Sequence, residues 1–394
     1  MRYNKSLLSI LVEYKKHSAN YLTPINLSFL WSFGSLLGFC MIMQIASGVF
    51  LSFFYNSDVN HAFYSVESIM RNIKYGWFIR YVHVNVASFI FLFIYIHMGK
   101  ALYFRSYTRI RLWLSGCIIF IILMLTAFSG YVLVWGQMSL WAATVITNFF
   151  SSVPFIGEEL VEWIWGGFTV SKPTLTRFFS IHFIAGLIAG FLSIVHLIVL
   201  HEEGSSNPIG VQSQDNINFS PFFLQKDLFW FFVFLFFLSY FIFFRPTAFM
   251  HPANFEQANP FVTPKSIVPE WYFLPFYTVL KSIPNKVGGI VMMGVSIVSL
   301  IILPFVDKKT IIKNPKIRFF WKLLFWIFVL NFIFLGWLGE QPAEELYVFW
   351  GQLSTGLYFS CLWFIIPFLG YFETQIIMSI KKTIIKNPKI RFFW

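Results

Sequence analysis

Charged residues are scarce in this chain. Asp, Glu, Lys and Arg together make up 12% of its 394 residues, about half the share that is usual in soluble domains. Hydrophobic residues make up 57%, including 53 phenylalanines, and several apolar runs reach the ~20 residues that span a bilayer. These features exclude a large soluble protein and predict an all-α polytopic membrane protein.

Cysteine is also rare. The chain has three cysteines, Cys40, Cys117 and Cys361, each inside an apolar run, and it contains no CxxC or CxxCH segment. This pattern argues against a disulfide framework, a zinc site, covalently attached haem and an iron–sulfur cluster held by this chain. We interpret the three residues as small buried packing residues.

Acidic residues are fewer than basic ones, which gives a net charge of +12. The basic residues fall between the apolar runs, mostly on alternate connections, as in oriented membrane proteins. We therefore expect contact with membrane lipids and no binding of nucleic acid. Residues 1–20 combine basic and apolar residues without a cleavage site, which predicts an amphipathic helix on the membrane surface rather than a signal peptide.

Eight apolar runs predict eight transmembrane helices, at 27–54, 77–103, 112–135, 174–201, 228–244, 287–305, 319–338 and 347–372. We expect broken interfacial helices at 136–165. The polar stretch 207–226 separates a predicted N-terminal domain, 1–210, from a C-terminal domain, 211–380. Most Lys and Arg residues outside the spans lie on the side of the two termini, which is therefore predicted to be the inner, electrically negative side.

Four histidines form two pairs with one spacing. His83 and His97 lie in the second predicted span, and His182 and His196 lie in the fourth, each pair 14 residues apart. Fourteen residues nearly complete four helical turns, so the members of a pair share one face about 21 Å apart. The second and fourth spans run parallel, so His83 should face His182 near the outer side and His97 should face His196 near the inner side.

Facing imidazoles at two depths suit two six-coordinate haem irons. Histidines in apolar helices can also be core residues or parts of a proton relay. Glycines repeat with the same spacing, at Gly34 and Gly48 in the first span and at Gly116 and Gly130 in the third. Such glycines usually mark close helix packing, but the shared spacing suggests that macrocycle edges approach these backbones.

Six longer motifs add a family resemblance. They are WSFGSLLG (31–38), YGWFIRYVHVNVAS (75–88), GYVLVWGQMSLWAATVITN (130–148), GGFTVSKPTLTRFF (166–179), PEWYFLPFY (269–277) and SIPNKVGG (282–289). Together they resemble the mitochondrial cytochrome b family over nearly the whole chain, with the PEWY tetrapeptide after a proline-rich loop as the most specific element. That family forms the haem-bearing core of the ubiquinol–cytochrome c reductase complex.

The resemblance implies a haem-binding four-helix bundle made by the first four spans. Two non-covalent haem b groups would be held by the four histidines, with the four glycines beside them and Arg80 paired with a propionate. Ubiquinol would be oxidised at an outer site, and electrons would pass through the haems to quinone at an inner site, coupled to proton translocation. The implied partners are an iron–sulfur protein and a cytochrome c1-type subunit, in a dimeric complex of the mitochondrial inner membrane with both termini on the matrix side. The isolated chain would not be active.

The resemblance also assigns two quinone sites. At the outer site Glu270 of PEWY would accept a quinol proton with Tyr277 as a second catalytic residue, and the lining residues would be Tyr131, Met138, Ala142, Ile146 and Phe273. A carboxyl group on the rim of an apolar pocket has its pKa raised by desolvation and can shuttle a proton. The inner site would use Trp31, Ser35, His201, Ser205, Lys226 and Asp227.

The chain departs from the family pattern at several positions. Val134 replaces a usual proline, Ala142 an often-present glycine, Lys100 an arginine near the inner haem, and Ser220 a common histidine of the fourth connection. The segment KKTIIKNPKIRFFW occurs twice, at 308–321 and 381–394. We expect no functional site in the second copy, the duplicated tail.

Three other functions are compatible with parts of the pattern. A transporter with a histidine proton relay would need no haem. A haem-b membrane anchor of another respiratory oxidoreductase would not need the PEWY loop. A structural membrane subunit would need neither feature.

Overall fold

The computed structural model describes residues 19–210, 213–307 and 314–386. Its helices include eight that are long and apolar enough to cross a membrane, which confirms the predicted all-α fold with eight spans: Phe29–Ser52, Gly76–Tyr103, Ile110–Val132, Lys172–Glu203, Phe219–Phe244, Lys286–Val306, Phe319–Glu340 and Glu345–Ser379. Most of the predicted N-terminal amphipathic helix and part of each 14-residue repeat lie outside the described residues.

The first half of the chain forms a four-helix bundle with short connecting helices. In chain order the helices are α1 (Phe33–Ser52), α2 (Ala62–Asn72), α3 (Gly76–Tyr103), α4 (Ile110–Val132), α5 (Gln137–Thr147), α6 (Gly157–Trp165) and α7 (Lys172–Glu203). Helix α1 packs along α3, α4 packs along α7, and α1 also contacts α7. The bundle therefore consists of α1, α3, α4 and α7.

Within the described residues, the second half adds six α-helices. They are α8 (Leu224–Phe244), α9 (Leu274–Lys281), α10 (Lys286–Val306), α11 (Phe319–Glu340), α12 (Glu345–Ser360) and α13 (Ile366–Lys386). A wider helical turn at Cys361–Ile365 joins α12 and α13 into one long span. The short helix α9 packs against α10 and α11, while α8 packs against α1 and α3.

Local sequence explains where two of the helices begin. At the start of α7, Ser171 and Thr174 form a reciprocal capping box, and Pro173 occupies the first turn, where its missing N–H costs nothing. At the start of α10, the Asn285 side chain accepts a hydrogen bond from the Gly288 N–H at 2.8 Å. These caps satisfy backbone donors that the helix itself leaves unpaired.

Several boundaries differ from the prediction. Helix α8 begins at Leu224 rather than at 228, so Lys226 and Asp227 lie inside its first turn. Helix α7 continues through His201 to Glu203. Helices α2 and α9 interrupt connections for which no helix is predicted, because their stability comes from packing against neighbouring spans rather than from a long apolar run.

A two-stranded sheet, absent from the sequence prediction, ties the start of the chain to its middle. Strand β1 (Leu22–Pro24) pairs antiparallel with β2 (Asn216–Asn218), with Leu22 opposite Asn218. The backbone N–H of Ile25 extends the pairing to the carbonyl of Asp215 at 3.2 Å. The sheet therefore fixes the segment before α1 against the connection between α7 and α8.

A buried ion pair joins the two halves. The Arg105 Nε lies 2.7 Å from an Asp307 carboxylate oxygen, and both side chains are 2% exposed. The Tyr107 hydroxyl donates to the same carboxylate. Nearby, the Trp113 Nε1–H donates to the Leu300 carbonyl at 2.7 Å, so the halves are held by polar contacts within a continuous apolar core.

We expect Asp307→Ala to destabilise the protein by on the order of 3–5 kcal/mol, because Arg105 would lose its carboxylate in a buried setting. Arg71→Ala is the matched control, since the Arg71–Glu67 pair is 77% and 35% exposed and should contribute less than about 1 kcal/mol. Thermal unfolding of both variants in detergent measures the difference. Equal unfolding temperatures for the two variants would show that the buried pair does not hold the halves together.

Candidate functional site

His83 on α3 faces His182 on α7. Their ring centroids lie 6.2 Å apart, with ring planes inclined by 73°. An imidazole nitrogen binds a metal at about 2.0–2.1 Å and lies about 1.1 Å from its own ring centroid, so two rings on opposite sides of one metal have centroids about 6.3 Å apart. The observed separation therefore fits a single metal ion between the two rings.

Hydrogen bonds set the tautomer of both rings. The Nδ1 of His182 lies 2.7 Å from the Thr126 carbonyl oxygen, which can only accept. The Nδ1 of His83 lies 2.9 Å from the Ser47 hydroxyl, whose own proton is directed to the Met43 carbonyl at 2.6 Å. Both Nδ1 atoms thus carry the ring proton, and both Nε2 lone pairs are left for a metal.

The second pair, His97 and His196, is oriented by fewer hydrogen bonds. The two side chains lie close enough to interact electrostatically. The Nδ1 of His196 lies 2.8 Å from the hydroxyl of Ser115, which in turn donates to the Leu112 carbonyl. The buried Nδ1 of His97 has no hydrogen-bond partner in the described part of the chain, so this centre is held asymmetrically.

Each of the four spaced glycines lies against one imidazole. A Cβ atom on Gly34, Gly48 or Gly116 would lie 3.2–3.3 Å from Cε1 of His97, His83 or His196, and one on Gly130 would lie 2.4 Å from Cε1 of His182. In the structure each of these glycines contacts a histidine ring; the macrocycle edge that the shared spacing suggests stays a prediction. The glycines on α1 and α4 therefore repeat with the histidine spacing because each one leaves room for a ring.

A partly buried cation accompanies each histidine pair. Arg80 lies one turn before His83 and lines the same cavity, and Lys100 lies one turn after His97 with its Nζ 5.1 Å from the centre of the Trp31 ring. Neither forms an ion pair with a carboxylate among the described residues. Because an unpaired charge in a protein interior is costly, a ligand that brings a carboxylate to each centre would stabilise both.

These observations fit haem. No group of three or more His, Cys, Asp or Glu side chains that could hold a bare ion occurs within residues 19–210, 213–307 and 314–386. Two facing imidazoles need a ligand that supplies the remaining coordination positions, and a porphyrin supplies four nitrogens and two propionates. The paired rings, their tautomers and the adjacent cations all match that requirement.

A cavity of about 240 Å³ runs from the His83–His182 pair to the proline-rich loop. Its lining includes Tyr131 at the end of α4 and, from the loop that precedes α9, Glu270 and Tyr272. Two residues predicted for the outer quinone site, Tyr131 and Glu270, therefore share one cavity with the predicted haem ligands. Val134, one of the departures from the family pattern, also lines it.

Glu270 is set up to exchange a proton near neutral pH. Burial raises the pKa of its carboxyl group from 4.5 to about 7, and a hydrogen bond from the Tyr131 hydroxyl partly opposes this rise. A group whose pKa lies near the ambient pH is populated in both protonation states, as a proton shuttle requires.

The other residues predicted for the outer site do not line this cavity. Met138 and Ala142 are buried within α5, which also carries Ile146. Phe273 packs on Phe91 and Tyr272. The Tyr277 hydroxyl lies 3.4 Å from the carbonyl oxygen of residue 267.

The residues predicted for the inner site form two groups. In the first, the Ser35 hydroxyl donates to the Asp227 carboxylate at 2.5 Å, and the Lys226 ammonium donates to the Leu27 carbonyl at 2.6 Å. Trp31 lies in the short helical turn that precedes α1, and its buried Nε1–H has no hydrogen-bond partner among the described residues.

The second group lies at the end of α7. His201 is stacked against Tyr21, and the Tyr21 hydroxyl lies 3.4 Å from the Ser205 hydroxyl oxygen. Tyr21 is not among the predicted site residues.

Sequence reasoning also missed the groups that orient the imidazoles. Ser47 and Ser115 directly precede Gly48 and Gly116, so the repeated Ser-Gly dipeptide could have identified them. Thr126 acts through its backbone carbonyl, and no sequence pattern marks that role.

Asn254 of the proline-rich loop is a second contact that nothing in the sequence marks. Its side-chain oxygen accepts hydrogen bonds from the Ser139 N–H and hydroxyl, each at 3.0 Å.

Comparisons with known proteins agree with this geometry. The family described as cytochrome b/b6/petB matches residues 18–204, and the family described as cytochrome b(C-terminal)/b6/petD matches residues 257–359. Cytochrome b of Chondrus crispus is 46% identical over 376 residues, which cover 95% of this chain and 98% of the relative. Cytochrome b of Phytophthora megasperma is 48% identical, with 96% and 98% covered.

A solved structure gives the same result. A chain of a hyperthermophilic respiratory complex III superposes with a TM-score of 0.86 at 33% identity, covering 93% of this chain and 97% of that one. Two matching family models, near-complete relatives and a matching fold lead to one conclusion: the chain belongs to the cytochrome b family.

Proposed function

We propose that this chain is the membrane electron-transfer subunit of a respiratory complex III, a quinol–cytochrome c reductase. It oxidises ubiquinol beside the His83–His182 pair and takes part in quinone reduction beside the His97–His196 pair, with coupled proton translocation. The observation that carries this proposal is the single cavity that joins the His83–His182 pair to Tyr131 and Glu270.

The four histidines would hold two haem b groups, and bound haem supplies reversible one-electron transfer. The protein's part is to orient the His83, His182 and His196 rings by hydrogen bonds at Nδ1 and to exclude water from the apolar bundle. Arg80 and Lys100 would bind propionates, Arg80 with a two-pronged guanidinium and Lys100 as a point charge.

Protons would be handled by different residues at the two sites. The Glu270 carboxylate would accept a proton from a quinol hydroxyl, with the Tyr131 hydroxyl orienting it. At the other site Asp227, held by Ser35, and His201 would deliver protons to reduced quinone. The two sites therefore release and take up protons at opposite ends of the bundle.

Partners and location are proposed from the cysteine content, the motifs and the distribution of charge. The chain has no cysteine pattern for an iron–sulfur cluster, so electron acceptance from quinol would need an iron–sulfur subunit and a cytochrome c1-type subunit. The motif resemblance supports a dimeric complex in the mitochondrial inner membrane, and the distribution of basic residues supports matrix-side termini. Family membership and the PEWY loop disfavour the transporter, the membrane anchor of another oxidoreductase and the structural subunit.

The proton-transfer role is tested by Glu270→Gln in the assembled complex. The carboxylate is the active form, so wild-type quinol oxidation should fall as the pH decreases through about 7. We expect Glu270→Gln to lower the rate by about 100-fold or more and to remove this pH dependence. Tyr131→Phe should move the midpoint of the pH profile to higher pH. The wild-type hydrogen bond from Tyr131 lowers the pKa of Glu270, so removing it raises that pKa.

Glu256→Gln is the matched control for these variants, because Glu256 is an exposed acid of the same loop and should keep the wild-type profile. Steady-state quinol oxidation between pH 5.5 and 9 provides the measurement. A Glu270→Gln complex with the wild-type pH profile would contradict the assigned role.

The glycine contacts predict unequal effects of alanine. We expect Gly130→Ala to displace the His182 ring and abolish haem binding at that centre, because its Cβ would lie 2.4 Å from the ring. Gly116→Ala should only perturb the other centre, since its Cβ would meet His196 at 3.3 Å, and Gly38→Ala, with nothing within 4 Å, should be silent. Reduced-minus-oxidised spectra measure this order; equal haem content in Gly130→Ala and Gly38→Ala would refute it.

A further inference from the structure

Tyr21 lies on the imidazole of His201. The ring centroids are 4.2 Å apart, and the planes are inclined by 26°. This stack joins two parts of the chain that are 180 residues apart: the segment before α1 and the last turn of α7. Stacked aromatic rings at this distance attract each other beyond the area they bury.

The hydroxyl group of Tyr21 also lies beside residues at the end of α7. Its hydroxyl lies 3.4 Å from the Ser205 hydroxyl oxygen. The Arg109 guanidinium, which donates to the Gly204 carbonyl, is close enough to interact electrostatically with Tyr21. Ring and hydroxyl therefore contact both residues, His201 and Ser205, that form the second group of the inner site.

The backbone of Tyr21 is fixed to the chain that leads into α8. Its carbonyl accepts a hydrogen bond from the Phe219 N–H at 2.8 Å, and the Ala19 carbonyl accepts one from the Ser220 N–H at 3.0 Å. The β1–β2 pairing follows directly, with Leu22 opposite Asn218. Residues 219 and 220 precede Lys226 and Asp227 by about two helical turns of chain, so Tyr21 connects the two groups of inner-site residues.

We propose that Tyr21 is a positioning residue for quinone binding at the His97 end of the bundle. Its ring holds the His201 imidazole in one plane, and the sheet holds Tyr21 relative to Asp227. The two polar groups that face the quinone are thus arranged before it binds, which reduces the cost of ordering them in the complex. This inference rests on the proposed function, because it takes that site to be the one where quinone is reduced.

The test compares Tyr21→Phe, which keeps the ring, with Tyr21→Leu, which removes it. Tyr240→Leu is the matched control, since Tyr240 is an exposed aromatic on α8 that contacts Phe241 and Phe244. The probe is decyl-ubiquinol, and the readout is the rate of b-haem reduction in the whole complex while the site beside Glu270 is blocked by an inhibitor. The concentration dependence separates the KM from the maximal rate.

We expect Tyr21→Leu to raise the KM about three- to tenfold with a smaller change in maximal rate. Tyr21→Phe should stay within about twofold of wild type, because the hydroxyl contact is long, and Tyr240→Leu should be unchanged. Should Tyr21→Leu fail to assemble, Tyr21→Met, which keeps side-chain length without the ring, carries the same expectation.

Two results would overturn the role of Tyr21: an unchanged KM in the variant without the ring, or a Tyr21→Phe variant as impaired as Tyr21→Leu. A wild-type complex that shows no haem reduction by this route would instead contradict the proposed function.

Discussion

The architecture depends on the close approach of four imidazole rings to helix backbone. A ring between two membrane helices needs a bare stretch of backbone beside it, and Gly34, Gly48, Gly116 and Gly130 supply one for each ring. The histidines on α3 and α7 and the glycines on α1 and α4 share a 14-residue repeat. The four helices must therefore keep their relative positions along the bundle axis. This fixes the His83–His182 and His97–His196 pairs at two different depths.

The basic residues inside the protein differ in whether they have an acidic partner within the chain. Arg105 finds its carboxylate within the chain, in Asp307, and that pair joins the two halves. Arg80 and Lys100, one beside each histidine pair, form no ion pair among the described residues, although even partial burial makes an unpaired cation costly. The same physical rule explains the stabilising contact of Arg105 with Asp307 and supports the proposal that an acidic ligand binds beside Arg80 and Lys100. Glu270 is an acid of the cavity that contains His83 and His182.

The sequence predicts what depends on local periodicity. Hydropathy yields the eight spans, and the helical repeat yields the expectation that His83 faces His182, as the structure places them. It does not predict contacts between distant segments, such as the β1–β2 pairing or the stack of Tyr21 on His201, because no local pattern encodes a partner about 190 residues away. Ser47 and Ser115 are an intermediate case. The repeated Ser-Gly pairs can be read from the sequence, but only the structure shows that these serines bind the imidazole rings.

The central claim is that each chain has two centres, each made by one imidazole from α3 and one from α7. The most direct measurement is the number of non-covalently bound b haems per chain in the purified complex, determined from the extracted haem and the protein concentration. The account predicts two haems per chain, resolved as two components in the reduced-minus-oxidised spectrum. One haem per chain, or none, would contradict it.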